Sequence, residues 1–102
     1  MHGMSTSATD FIEPAATSVC VTDATLDVEL KDGRSLSVPL SWYPRLEHAS
    51  KAERDNWTLT GSGIGIHWPD IDEDISVEAL VAGKPSNESQ TSLAKWLATR
   101  HS

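Results

Sequence analysis

The side chains best suited to chemistry lie in an acidic segment between positions 70 and 78. This segment holds five acids within nine residues and no base: Asp70, Asp72, Glu73, Asp74 and Glu78. Its three aspartates match positions 1, 3 and 5 of an EF-hand calcium loop. Ile75 stands where that loop needs Gly, and Val81 where it needs a bidentate Glu. The spacing therefore argues against a calcium site.

Three other interpretations of the acidic segment differ in what they require. Hydrolysis by paired carboxylates needs two acids roughly 5–10 Å apart across a sugar cleft, and a chain of 102 residues has little room for one. A solvated turn that caps the following helix needs no ligand at all. An acidic docking surface needs a basic protein partner, whose association the carboxylates would accelerate. The turn and the docking surface both stay open.

His67 is the second candidate for chemistry, since it alternates with Ile66 and Trp68 in a predicted strand. Beside Asp70 or Asp72 it could act as the general base of a small enzyme. The structural alternative is a hydrogen bond from the ring at the edge of a sheet. Neither a nucleophile elbow nor a dinucleotide-binding fingerprint accompanies it.

Metal and cofactor chemistry find no support in the residue pattern. The four histidines are isolated from one another, and Cys20 is the single cysteine. Zinc sites need clustered Cys and His ligands at short spacing. We therefore predict no metal, no cofactor and no enzymatic activity, and we expect Cys20 to be a small buried residue.

A second cluster mixes aromatic and basic residues just before a predicted short helix: Trp42, Tyr43, Arg45 and Leu46. Trp, Tyr and Arg are enriched in interface hot spots, although the aromatic side chains could equally belong to the core. We predict a partner-binding surface that joins this cluster to His67 and to the acids Asp70, Asp72, Glu73 and Asp74.

Composition limits the class of partner. The net charge is −7 and the pI about 4.8, which argues against nucleic-acid binding because that requires a basic surface. No apolar run approaches the roughly 18 residues of a membrane span, and the start of the chain lacks the features of a signal peptide. We expect a cytoplasmic protein with no membrane association.

The elements that must position these residues are short. Two alternating runs flank Asp32-Gly33, which predicts a β-hairpin. Ser50 with Glu53 predicts a capping box, and Ser76 is placed to cap a final helical turn over 77–82. We predict an α+β fold, with a small antiparallel sheet of about four to six short strands, short helices packed on it and a C-terminal helix. The predicted organisation is a flexible arm over 1–17, a domain over 18–83, and a linker with the C-terminal helix over 84–102.

Two long motifs resemble one bacterial family. Val38-Pro39-Leu40-Ser41-Trp42-Tyr43-Pro44-Arg45-Leu46 and Gly65-Ile66-His67-Trp68-Pro69-Asp70-Ile71-Asp72-Glu73-Asp74-Ile75-Ser76-Val77 are similar to domain of unknown function 2442, over roughly residues 19–83. The resemblance implies a small α+β domain with an antiparallel sheet and no established catalytic activity. Family members are often encoded beside a small protein, which implies a toxin–antitoxin pair.

This resemblance shapes the functional prediction. Some relatives carry a helix-turn-helix after the domain, but the tail here is too brief for a complete one. We predict a protein-interaction module, the antitoxin-like half of a two-gene pair, with a small basic protein encoded nearby as its partner. The alternatives are a small enzyme that uses His67 and the acids after it, and an accessory structural domain with no dedicated ligand.

Overall fold

The computed structural model describes residues 13–100, which form six short strands and four α-helices. Single turns of 3-10 helix occupy Leu40–Trp42 and Gly61–Gly63. In chain order the elements are β1 (Ala16–Val21), β2 (Thr25–Leu30), β3 (Ser35–Pro39), α1 (Pro44–Glu47), α2 (Lys51–Asp55), β4 (Thr58–Thr60), β5 (Gly65–Trp68), β6 (Glu73–Ser76), α3 (Val77–Val81) and α4 (Gln90–Arg100).

The first sheet has the order β1-β2-β3, and both of its strand pairs are antiparallel. Alternation buries Leu26, Val28 and Leu30 on one face of β2 and turns the side chain of Glu29 to solvent. Gly33 has φ of 94° in the connection from β2 to β3, a conformation that glycine adopts without steric cost. The predicted Asp-Gly hairpin is therefore confirmed.

The second sheet has the order β4-β5-β6 and is also antiparallel. Ile66 and Trp68 of the central strand β5 face the core, so His67 lies on the outer face opposite Asp74. The α+β class is confirmed, but the strands form two sheets where one was expected. Pro39 ends β3, and the helical segment that follows carries the chain away from the first sheet before β4 begins.

Both predicted helix caps are present. Ser50 and Glu53 form a complete capping box at the start of α2, and the Ser76 hydroxyl accepts a hydrogen bond from the Ala79 amide at the start of α3. These caps satisfy amides that a short helix cannot pair internally.

The core lies between the inner faces of the two sheets and the helices α1 and α3. Its buried hydrophobic residues are Ala16, Val19, Leu26, Val28, Leu30, Val38, Leu40, Tyr43, Leu46, Ala49, Ile66, Trp68, Ile71, Ile75, Val77 and Leu80. No residue of α4 is fully buried. Helix α4 therefore packs on a core that the rest of the chain has already completed.

Three sequence predictions need correction. Ala16 and Thr17 belong to β1 rather than to the predicted arm, whose residues 1–12 lie outside the described residues. Cys20 is exposed, not buried, because it lies on the outer face of β1. His67 occupies the central strand of its sheet instead of an edge. Within residues 13–100, no helix is both long and apolar enough to cross a membrane.

Candidate functional site

The acidic turn, residues 70–74, covers the end of the connection from β5 to β6 and the first two residues of β6. Contacts from the domain hold its backbone in place. Arg45 of α1 donates from Nη1 to the carbonyl oxygens of Ile71 at 3.0 Å and of Asp72 at 3.3 Å. The Ile71 side chain is buried in the core, and Asp72 has a left-handed φ of 53°. Arg45 thus joins the two clusters that the sequence predicted would share a surface.

The aspartates of the acidic turn point to different partners. Asp70 accepts a hydrogen bond from Asn56 at 3.0 Å, and Asp74 lies 2.7 Å from Nδ1 of His67 across the strand pair. Asp72 is exposed between them. Within residues 13–100 no three His, Cys, Asp or Glu side chains come together in a way that could hold a metal ion.

The carboxylates of the acidic turn are not paired with lysine or arginine side chains in the described part of the chain. Glu78 likewise forms no salt bridge with a lysine or arginine there. In the same part of the chain, five arginine and lysine side chains form salt bridges, and each of them pairs with an acid outside residues 70–78. The turn therefore presents three exposed carboxylates, those of Asp70, Asp72 and Asp74, on a backbone that Arg45 holds in place.

Glu73 differs from its neighbours because it is half-buried. Burial and, to a smaller extent, the nearby carboxylates of Glu88, Asp74 and Asp72 together raise its pKa to about 7, against the opposing effect of Arg45. Burial also raises the pKa of Tyr43 to about 12, with a contribution from Glu73. The Tyr43 hydroxyl donates to the carbonyl oxygen of Lys84 at 3.1 Å.

The aromatic cluster is not an exposed anchor. Tyr43 and Leu46 are only 3% and 0% exposed and belong to the core, and Trp42 is half-buried against it. The linker after α3 runs beside this cluster, since the Ser86 amide donates to the carbonyl oxygen of Trp42 at 3.0 Å. The guanidinium of Arg45 is hydrogen-bonded to the acidic turn and to Glu88. None of the residues in the predicted cluster is therefore a free interface anchor.

Sequence reasoning missed the C-terminal segment, residues 84–100, as part of this region. Arg45 forms a bidentate pair with Glu88, with N···O distances of 2.8–3.0 Å, and Ser92 donates to Glu88 at 2.7 Å. At the other end of α4, Arg100 forms a bidentate pair with Glu53 at 2.7 and 3.0 Å. This pair and the capping box hold the pKa of Glu53 down to about 2.

Trp96 lies between these two ion pairs. Its ring centre is 5.2 Å from the Arg45 guanidinium and 4.6 Å from that of Arg100, distances typical of cation–π contacts. The signal in the sequence was a spacing of four residues, which places Ser92, Trp96 and Arg100 on one face of α4. Glu88 precedes the helix and lies four residues before Ser92. An open groove of about 590 Å³ separates this face from Asp72.

His67 and Asp74 form a carboxylate–imidazole pair on the outer face of the second sheet. Their 2.7 Å contact orients the ring, and Thr58 lies opposite His67 on β4. The Asp74 side chain is 73% exposed. The predicted contact of His67 with Asp70 or Asp72 is therefore replaced by one with Asp74.

Comparison with family models matches residues 16–86 to the protein family of unknown function DUF2442. The chain belongs to this family. The family match ends before α4 and includes the acidic turn, Arg45 and His67. The comparison with curated proteins finds no match.

Two solved structures share the fold. A crystal structure of a protein of unknown function from Rhodospirillum rubrum has a TM-score of 0.65 and 28% identity, covering 78% of this chain and 98% of that one. A solution structure of an uncharacterized protein from Chromobacterium violaceum has a TM-score of 0.61 and 20% identity, covering 84% of this chain and 75% of that one. At the latter identity the likeness concerns the fold alone.

Proposed function

We propose that this DUF2442 protein is a non-enzymatic interaction module whose acidic turn docks a small basic protein. The observation that carries the proposal is the combination of exposure and rigidity at residues 70–74. The carboxylates of Asp70, Asp72 and Asp74 are exposed, and none of them forms a salt bridge with a lysine or arginine of the described chain. Arg45 and Ile71 hold the backbone of the turn in place.

Rigidity favours a docking surface over a merely solvated turn. A basic partner meets charges that are already in place, so little conformational entropy is lost on binding. Complementary charge also accelerates the encounter and rejects acidic competitors. The family resemblance supports a neighbouring small protein as the partner, with this chain as the antitoxin-like half of the pair.

A small enzyme built on His67 is the second candidate. The 2.7 Å contact with Asp74 favours it, because a carboxylate that orients an imidazole is a recurring element of acid–base sites. The high exposure of Asp74 weakens this candidate, since water screens the charge that would stabilise a charged imidazole.

The deciding experiment compares two charge-neutralised variants as baits in the native host. Asp72→Asn with Asp74→Asn removes two charges from the acidic turn; Asn tolerates the positive φ at position 72 and can still accept a hydrogen bond from His67. Glu29→Gln with Glu47→Gln removes two charges from exposed positions elsewhere and serves as the matched control.

We expect the wild type and the control to capture the same small basic protein and the acidic-turn variant to capture much less. With the purified partner, stopped-flow association should be roughly ten-fold slower for the acidic-turn variant and less sensitive to salt. Equal association rates and salt slopes for the two variants would show that the acids are only a solvated turn. Turnover of a substrate that is lost in His67→Gln would support the enzyme instead.

A further inference from the structure

Strand β6 lies at an edge of the second sheet, and one side of its backbone has no neighbouring strand. The Val77 amide donates to the carbonyl oxygen of Ile64 at 3.0 Å, in register with the β5–β6 ladder. The hydrogen bonds of an antiparallel pair use every second residue of each strand. Counting back from Val77, the backbone groups of Asp74 and Ser76 therefore point away from β5.

Most of these outward backbone groups are unpaired. Among residues 13–100, no hydrogen bond engages the Asp74 N–H, the Asp74 carbonyl oxygen or the Ser76 N–H. The Ser76 carbonyl belongs to the N-cap of α3, where it accepts the first hydrogen bond of the helix. Arg45 donates to the carbonyl oxygen of Asp72 at 3.3 Å, immediately before β6 begins. The free edge is thus bounded by Arg45 at one end and by α3 at the other.

Acidic side chains surround this free edge. Asp72, Asp74 and Glu78 are exposed, and none of them forms a salt bridge with a lysine or arginine of the described chain. A groove of about 420 Å³ beside β6 is lined by the acids Glu13 and Asp74 and by no lysine or arginine among the described residues. Ile64 also lines this groove and is 39% exposed, so it offers apolar surface to the stem of a long basic side chain.

We propose that the β6 edge binds an extended, lysine- or arginine-rich segment of the basic partner by strand addition. This inference rests on the proposed docking function and adds to it the backbone groups that the partner contacts. One residue of the segment exchanges a pair of hydrogen bonds with the backbone of Asp74, and the Ser76 N–H donates to a neighbouring carbonyl. The side chain of that residue lies beside the Asp74 carboxylate, where a lysine or arginine forms an ion pair.

The edge of β3 provides a comparison within the same molecule. The Leu30 amide donates to the carbonyl oxygen of Arg34, so the backbone groups of Ser35 and Ser37 point away from β2. Strand β3 carries no charged side chain, and Pro39 at its end has no N–H to donate. A basic segment therefore gains ion pairs at β6 that β3 does not offer.

The first test is amide hydrogen exchange of the full chain with a short probe peptide of alternating lysine and valine. The amides of Asp74 and Ser76 should exchange rapidly in the free protein and become protected on binding, while those of Ser35 and Ser37 stay unchanged. The control peptide has the same sequence with a methyl group on each backbone nitrogen, which keeps the charges and prevents strand pairing. It should bind more weakly and leave both amides unprotected.

Substitution of Ser76 tests the backbone donor directly. Ser76→Pro removes the N–H, and the φ of −80° at this position suits proline. Ser76→Ala is the matched control, because both variants lose the cap hydroxyl and only the proline variant loses the N–H. We expect Ser76→Ala to bind the lysine–valine peptide as the wild type does, and Ser76→Pro to bind it at least roughly three-fold more weakly.

Equal affinity for the two peptides, or equal affinity of Ser76→Ala and Ser76→Pro, would overturn strand addition and leave the acidic docking surface standing. Absence of peptide binding at millimolar concentration would also overturn it, while the docking function itself is decided by the bait comparison. Amide protection that rises with protein concentration without peptide would overturn it in favour of a second copy, an arrangement that brings like charges together. The exchange measurement on the wild type decides the question if Ser76→Pro does not fold.

Discussion

At the scale of single residues, Arg45 and Glu73 have the roles that matter most in this protein. Arg45 was predicted as an exposed contact for a partner, yet its donors serve Glu88 and the backbone of the acidic turn. Glu73 was predicted as one of several equivalent surface acids, yet it is half-buried with a raised pKa. Residue type alone could not distinguish Glu73 from Asp72 or Asp74, because the burial of a side chain depends on which other segments of the chain pack against it.

Replacing Glu73 with Gln should stabilise the fold at neutral and alkaline pH. The pKa of Glu73 is higher in the folded state, about 7, than its ordinary value of 4.5. Its ionisation therefore costs no folding stability below about pH 4.5, and the cost grows as pH rises through 7. Urea unfolding should show Glu73→Gln to be more stable than the wild type by roughly 1–3 kcal/mol at pH 8, with a smaller difference at pH 5. A gap of the same size at both pH values would contradict this account.

Replacing Gly33 with Val should destabilise the protein by roughly 1–2 kcal/mol. The expected cost is conformational, because Gly33 has φ of 94° and a Cβ there would meet nothing within 4 Å. Gly33→Asn is the control, since Asn enters the left-handed region more readily and should cost less. Urea midpoints give the comparison, and equal midpoints for Val and Gly at this position would argue against the tight turn.

Among the elements, α2 has two roles because of one side chain. Glu53 closes the capping box with the Ser50 amide and also binds Arg100 of α4. The first role is readable from the spacing of Ser50 and Glu53, whereas the second requires knowing that α4 returns to this helix. A local motif thus also fixes a long-range contact.

Removing the cap hydroxyl separates these roles. Ser50→Ala should destabilise the protein by roughly 1 kcal/mol, because the Glu53 amide loses its acceptor. Ser50→Thr is the control and should retain most of the stability. Chemical denaturation measures the difference, and amide exchange in α4 should be affected less than that in α2. If Ser50→Ala and Ser50→Thr unfold at the same denaturant concentration, the cap contributes nothing.

At the scale of the whole molecule, α4 is an addition to a complete domain. All sixteen buried hydrophobic residues of the described chain lie between Ala16 and Leu80, and the family match ends at residue 86. The C-terminal segment adds two bidentate ion pairs and the half-buried Trp96. We therefore expect the core to form without α4.

Truncation after Ser86 should leave the two sheets folded. We expect the amide spectrum of β2 and β5 to keep its pattern, with a loss of roughly 1–3 kcal/mol in the free energy of unfolding from the missing ion pairs and the Trp96 contacts. Trp96→Ala in the full chain should account for a part of that loss. Collapse of the sheet resonances in the truncated chain would show that α4 is required for folding.

Structural elements that are determined by residues close together in the chain could be predicted from the sequence. The hairpin at Gly33, the capping box at Ser50 and the cap at Ser76 each depend on residues at most a few positions apart, so spacing was sufficient to find them. The two family motifs were recognisable for the same reason, since each is continuous in the chain.

The tertiary structure alone decided which side chains are buried and which charges meet. Tyr43 and Leu46 became core residues, Cys20 became exposed, and the strands divided into two sheets, because each outcome depends on packing between distant segments. The Arg45–Glu88 and Glu53–Arg100 pairs join residues more than forty positions apart. No periodicity within a single element encodes such a contact. The raised pKa of Glu73 likewise depends on the fold, through burial first and the carboxylate of Glu88 second.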